Sequence, residues 1–216
     1  MSSTVYTHPF PPSPESRMIQ FILGLIGMKK AMEKKIANNS YSKKPARIPK
    51  SFYKKFTIET NLVNGRKVWT IHPRNDRNNT VILYLHGGAY YANISTMHWI
   101  LIEQLLTAYR ATVIVPDYPL APESTCADAY HFLDSVYTNM IQNYPDKEIV
   151  FMGDSSGGGL ALGYAAKIKT EATKQPQQII LFSPWLDVSM DNPEMAKFDA
   201  RDKILSINGL KTAGKR

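Results

Sequence analysis

Residues 153–157 read Gly153-Asp154-Ser155-Ser156-Gly157, a serine set between glycines. The spacing fits G-x-S-x-G, in which a nucleophilic serine sits at the tip of a sharp strand-to-helix turn. Neighbours without Cβ let the chain pass through that turn. Ser155 would then stand at a helix N-terminus, whose amides and dipole stabilise developing negative charge. Glycine-flanked serines also occur in phosphate loops and plain turns, so the pentapeptide alone decides little. Its setting is more specific, with an apolar run at 149–152 before it and the small residues Gly158, Gly159, Ala161, Gly163 and Ala165 after it. Ser155 is therefore the candidate nucleophile, and Asp154 is expected to brace the turn.

A second stretch, Leu85-His86-Gly87-Gly88-Ala89-Tyr90, follows another apolar run. Glycines there free backbone N–H groups to point into a cavity and hold the oxyanion of a tetrahedral intermediate. The favoured donors are the amides of Gly88 and Ala89, with Gly87 close by and Ser156 supplying the amide beyond the nucleophile. His86 is expected to fix this loop by hydrogen bonding. A catalytic serine also needs a general base and an acid that orients the base. All five histidines (His8, His72, His86, His98 and His131) precede Ser155. His98 is the nearest substitute, but it is expected on a helix surface. No H-x-x-x-H or C-x-x-C spacing occurs, so neither a metal nor a cofactor is expected.

The elements that must hold these residues are legible as patterns. Segments 56–60 and 68–72 alternate about the turn Asn64-Gly65, a hairpin signal. Four continuous apolar runs follow, at 81–85, 112–115, 149–152 and 179–182, as suits strands buried on both faces of a parallel sheet. The segments 96–109, 127–143 and 156–169 between them read as helices. A hairpin followed by β-α repeats predicts an α/β fold, a mostly parallel sheet with helices on both faces. The expected divisions are an appendage at 1–50, the core at 51–187 and a further segment at 188–216.

The 216 residues carry a formal charge of +8. Ten Lys or Arg and one acid fall within 29–55, so one segment is strongly basic and the rest is near neutral. That segment is read as a solvated stretch with a weak attraction for anionic membrane surfaces. No nucleic-acid recognition motif is present, and no nucleic-acid partner is expected. The single cysteine, Cys126, excludes an internal disulfide and suits a cytoplasmic location. The apolar run at 18–28 is shorter than the ~20 residues of a membrane span. It is read as an amphipathic helix packing on the body.

Two further stretches, Asp117-Tyr118-Pro119-Leu120-Ala121-Pro122-Glu123 and Ser183-Pro184-Trp185-Leu186-Asp187-Val188-Ser189, complete the pattern. With these four motifs the chain resembles the hormone-sensitive-lipase-like α/β-hydrolases, which include bacterial carboxylesterases, from about Phe56 onward. Ala89 stands where that family has a third glycine, and Pro119 where many members carry arginine. The resemblance implies a sheet order 1-2-4-3-5-6 and an ester hydrolase with a serine nucleophile acting on small acyl esters. It also implies that 1–50 and 188–216 are cap elements, and a triad order of Ser, then Asp or Glu, then His. The last two partners are not found after Ser155, so the chain resembles a hydrolase cut short at its C-terminus, with its last strands missing and negligible turnover expected alone. The alternative is a non-catalytic remnant or ligand-binding module on the same fold.

Overall fold

The computed structural model describes residues 4–7, 9–75 and 78–215; His8 lies outside them. The strands are β1 (Phe56–Val63), β2 (Arg66–Pro73), β3 (Thr80–Leu85), β4 (Thr112–Pro116), β5 (Glu148–Asp154) and β6 (Gln178–Phe182). The helices are α1 (Pro14–Leu25), α2 (Met28–Ala37), α3 (Lys50–Lys55), α4 (Thr96–Tyr109), α5 (Cys126–Asn143), α6 (Ser155–Thr170), α7 (Ala196–Asp199) and α8 (Ile207–Gly214). They pack as two units. One is Tyr41–Val188; the other joins the residues up to Ser40 with Ser189–Lys215.

In the larger unit the six strands form one sheet in the order β1-β2-β4-β3-β5-β6, as expected. The β1–β2 hairpin turns through Asn64 and Gly65, at φ +46° and +75°. Positive φ at both central residues is what a two-residue hairpin turn requires, and Asn-Gly supplies it at least cost. β2 pairs antiparallel with β4, while β4, β3, β5 and β6 run parallel.

The continuous apolar runs arise because the central strands are covered on both faces. Leu83 and Leu85 of β3 and Phe151 of β5 pack with Phe132, Leu133 and Tyr137 of α5 and Leu160 and Tyr164 of α6. Ile82 and Tyr84 of β3 and Met152 of β5 point the other way, into a core with Trp99, Ile102 and Leu106 of α4 and Phe52 of α3. Alternate residues thus feed two cores, and hydropathy along the strand loses its period. β6 is the exception: it lies at the sheet edge, and Ile179, Ile180 and Phe182 stay 37–40% exposed.

The smaller unit is helical. Ile36 of α2 is buried in it, close to Gly209 of α8, and Lys29 pairs with Asp199 at 3.0 Å. The apolar run at 18–28 is not one helix. α1 ends at Leu25, Gly27 turns the chain at φ +65°, and α2 begins at Met28. The expected packing of α1 is corrected as well, since none of its residues is buried.

Candidate active site

β3 and β5 are parallel neighbours, with Leu85 opposite Gly153 in register. Their C-terminal ends therefore bring the His86–Tyr90 loop beside the Gly153–Gly157 turn. Ser155 sits where β5 passes into α6, at φ +49°, in the left-handed region. A β-carbon residue there is strained, and the surroundings must hold it. They do so by close approach: a Cβ at Gly157 would come 2.1 Å from Leu85 O, and one at Gly153 would come 2.4 Å from Gly157 O. On the other side, the Trp185 N–H donates to Ser155 O at 2.8 Å, so the segment after β6 also grips the turn.

Asp154 is the hub of the site. Its Oδ1 accepts from Tyr84 Oη at 2.7 Å and from the Gly87 amide at 2.9 Å. Its Oδ2 lies 3.3 Å from His98 Nε2. His98 Nδ1 accepts the Ser95 amide at 2.8 Å, which leaves the ring proton on Nε2, facing Asp154. Burial would raise the Asp154 carboxyl, but the hydrogen bonds from His98 and Tyr84, with the Gly87 amide, hold it below the usual carboxylate range. The same carboxylate, after burial, pushes the Tyr84 phenol up.

Two sequence expectations change here. His98 is not on a helix surface: its side chain is 16% exposed and turned toward Asp154. The Gly87 amide is spent on Asp154, so Gly87 braces the loop and drops out of the candidate oxyanion donors. Gly88, at φ +134°, and Ala89, at φ +54°, have amides with no hydrogen-bond partner among the described residues. Ser156 is in the first turn of α6, where amides lack an intrahelical acceptor. Its hydroxyl is buried and takes the Tyr90 amide at 3.3 Å, tying the loop to the helix.

His86 is fully buried and stacks on Tyr118 at 4.4 Å between ring centroids. Its Nδ1 donates to Gly87 O at 2.8 Å, and Tyr118 Oη donates to His86 O at 2.6 Å. Burial pulls the His86 ring down to about 4, so it is neutral at physiological pH. The role of a base falls to none of the described histidines. Ser155 Oγ has no hydrogen-bond partner among the described residues, while His72 bonds Thr112 and His131 is exposed on α5. Among the described residues no cluster of three His, Cys, Asp or Glu could hold a metal ion. A cleft of about 510 Å³ between β1 and α5 is lined by residues such as Leu62, Asn64 and Ser135 and contains none of the candidate site residues.

Tyr84 lies outside the sequence motifs, and Tyr90 and Trp185 stand in them without an assigned role. A tyrosine in a strand covered on both faces is a readable signal, because its hydroxyl must find a partner.

Residues 82–215 match the alpha/beta hydrolase fold family. The chain belongs to that family. It is 33% identical over 131 residues to an esterase of Acinetobacter venetianus, covering 60% of this chain and 43% of that protein. It is 33% identical over 135 residues to a triacylglycerol lipase of Mycobacterium tuberculosis, covering 61% of this chain and 30% of that one. The chain thus spans less than half the length of these curated relatives. A hormone-sensitive lipase from a metagenome library aligns with a TM-score of 0.75 at 22% identity, over 92% of this chain and 67% of that one. An esterase from the bacterial hormone-sensitive lipase family aligns at 0.72 and 20% identity, over 95% and 69%. At these identities the likeness to the solved structures is one of fold. No helix among the described residues is long and apolar enough to cross a membrane.

Proposed function

We propose that this α/β-hydrolase chain carries the nucleophile and oxyanion-stabilising half of a carboxylic ester hydrolase acting on small acyl esters. In this reading residues 51–187 are the hydrolase core, 1–50 and 188–216 are cap elements, and Cys126 suits a cytoplasmic setting. Ser155 attacks the acyl carbonyl, and the amides of Gly88, Ala89 and Ser156 hold the charge that forms on its oxygen. The observation that carries the reading is Ser155 in the left-handed region between β5 and α6, beside a loop whose Gly88 and Ala89 amides are unengaged. Asp154, His86 and Gly87 keep that loop and turn in place and take no part in proton transfer.

The alternative, a non-catalytic ligand-binding module on the same fold, is favoured by one observation: no base reaches Ser155 Oγ among the described residues. Losing the base of such a triad costs on the order of 10⁶ in rate. Both readings are tested by a fluorophosphonate probe and short p-nitrophenyl esters. We expect slow labelling that vanishes in Ser155→Ala, and ester turnover near background. Labelling that survives Ser155→Ala overturns the nucleophile assignment. Complete absence of labelling at high probe concentration favours the binding module.

A further inference from the structure

We infer that α1 is a docking helix for an anionic membrane surface. Its apolar residues Met18, Ile19, Phe21, Ile22 and Leu25 are 46–70% exposed, and no residue of the helix is buried. At 100° per residue these positions share one broad face, while Arg17, Gln20 and Gly24 mark the other. The least exposed residues of the helix are Ser16 and Leu23, at the margin of the apolar face, and a methyl at Gly24 would lie 3.8 Å from Lys203 Cδ. The helix therefore presents its apolar face outward, the reverse of a helix that packs on a core.

Charge selects the occupant. The turn at Gly27 leads directly into α2, where Lys30, Lys34 and Lys35 are exposed and have no polar partner among the described residues. Lys30 and Lys34 are one turn apart on the same ridge of that helix. Lys29, by contrast, is tied to Asp199. The smaller unit as a whole carries ten Lys or Arg against six Asp or Glu. An exposed apolar helix followed by free lysines is the pattern of an interfacial anchor, whose apolar face enters the acyl boundary while the cations meet anionic headgroups. The twelve residues of α1 extend about 18 Å, so the helix lies in the surface and does not cross it. A protein groove would accept the apolar face but would leave the lysines without a reason.

The test is flotation of the full chain with vesicles of phosphatidylcholine, alone or mixed with phosphatidylglycerol. Flotation separates vesicle-bound protein from aggregates, which sink, and it reads nothing of ester chemistry. The parent chain should float with the anionic vesicles, remain below with phosphatidylcholine, and be released by raised salt. Lys30→Gln/Lys34→Gln/Lys35→Gln should lower binding about tenfold or more. Phe21→Glu/Ile22→Glu should abolish it, and both variants alter exposed positions, so circular dichroism should match the parent. Equal flotation with both lipids, no flotation with either, or variants that float like the parent would overturn the inference. Oligomers without lipid that disappear in Phe21→Glu/Ile22→Glu, together with no flotation, would assign the face to a second copy of the chain instead.

Discussion

The junction of β3 with β5 and the edge strand β6 belong to one sheet but are finished to different degrees. At the junction a buried carboxylate gathers its neighbours, with Asp154 alone accepting from Tyr84, Gly87 and His98. At the edge, β6 pairs with β5 on one side, and its apolar side chains remain more than a third exposed. The strands differ little in composition, since both are apolar runs without charge at their centres. The difference is in neighbours: β5 lies between β3 and β6 and is covered on both faces. The lesson is that the Ser155 turn is held by contacts from β3, β5, α4 and α6 and by Trp185 after β6, all within the larger unit. That contrast can be broken from the braced side or sharpened from the open side.

The largest effect is expected from the closest approach. Gly157→Ala would push a methyl to 2.1 Å from Leu85 O and 2.5 Å from His86 O, both backbone atoms that cannot step aside. We expect a loss of about 3 kcal/mol or more in urea unfolding, with a rise in the fraction of insoluble chain. Gly65→Ala is the control. Its Cβ would meet nothing within 4 Å, but φ is +75°, so only backbone strain is felt, about 1–2 kcal/mol. Equal losses at the two sites would mean that the junction is not tightly packed.

A pH-dependent effect comes next. The unfolded chain takes up a proton on His86 near its ordinary value of 6.5, whereas burial delays uptake in the fold to about 4. The folded state is thus favoured in full above about pH 6.5 and loses up to about 3 kcal/mol as pH falls toward 4. Asp154, held low by its partners, acts with the same sign at lower pH: its contribution fades as pH drops through its folded value. Urea midpoints measured from pH 8 to 4 should fall for the parent chain. His86→Gln should flatten most of that slope. A parent whose midpoint is constant to pH 5 would show that the ring is accessible to water and that the junction opens readily.

The sequence carried the sheet and the position of Ser155 well, because each rests on local pattern. Continuous apolar runs fit strands covered on both faces, as β3, β4 and β5 are, and Asn64-Gly65 supplies the hairpin turn at low cost; the same pattern at β6 does not show that it lies at the edge. It carried the polar network poorly. His98 precedes Trp99, on a helix whose buried stripe is Trp99, Ile102, Leu105 and Leu106, and by that stripe it falls beside the core. What turns it inward is its place three residues after Ser95, where its ring closes a capping box and so has its other nitrogen aimed at Asp154. The partner lies 56 residues away, and no spacing rule connects the two. The amide of Gly87 was misjudged for the same reason, since a glycine's free N–H is visible in sequence but its acceptor is not. α1 was misread because amphipathicity gives the width of an apolar face and not the direction in which it is turned.

The smallest change in folding stability, and the clearest reading of the open side, is expected at β6. Residues 178–182 carry no charge, proline or glycine, and the strand's outer edge leaves alternate N–H and C=O groups without a ladder. Edge strands that stay unpaired in solution are usually blunted by a lysine, a proline or a bulge, and β6 has none of these. Segments of this kind pair with copies of themselves. We expect the purified chain to elute in size-exclusion chromatography ahead of a monomer, increasingly so with concentration, and to bind a dye for exposed apolar surface. Ile180→Lys should move elution toward the monomer and reduce dye binding, while changing unfolding free energy by less than about 1 kcal/mol, because Ile180 is already 37% exposed. Phe21→Glu, placed on α1, should leave elution unchanged if the association runs through the sheet edge. A sharp monomer peak without dye binding would mean that the edge is covered in solution, and that β6 is as well finished as the junction it flanks.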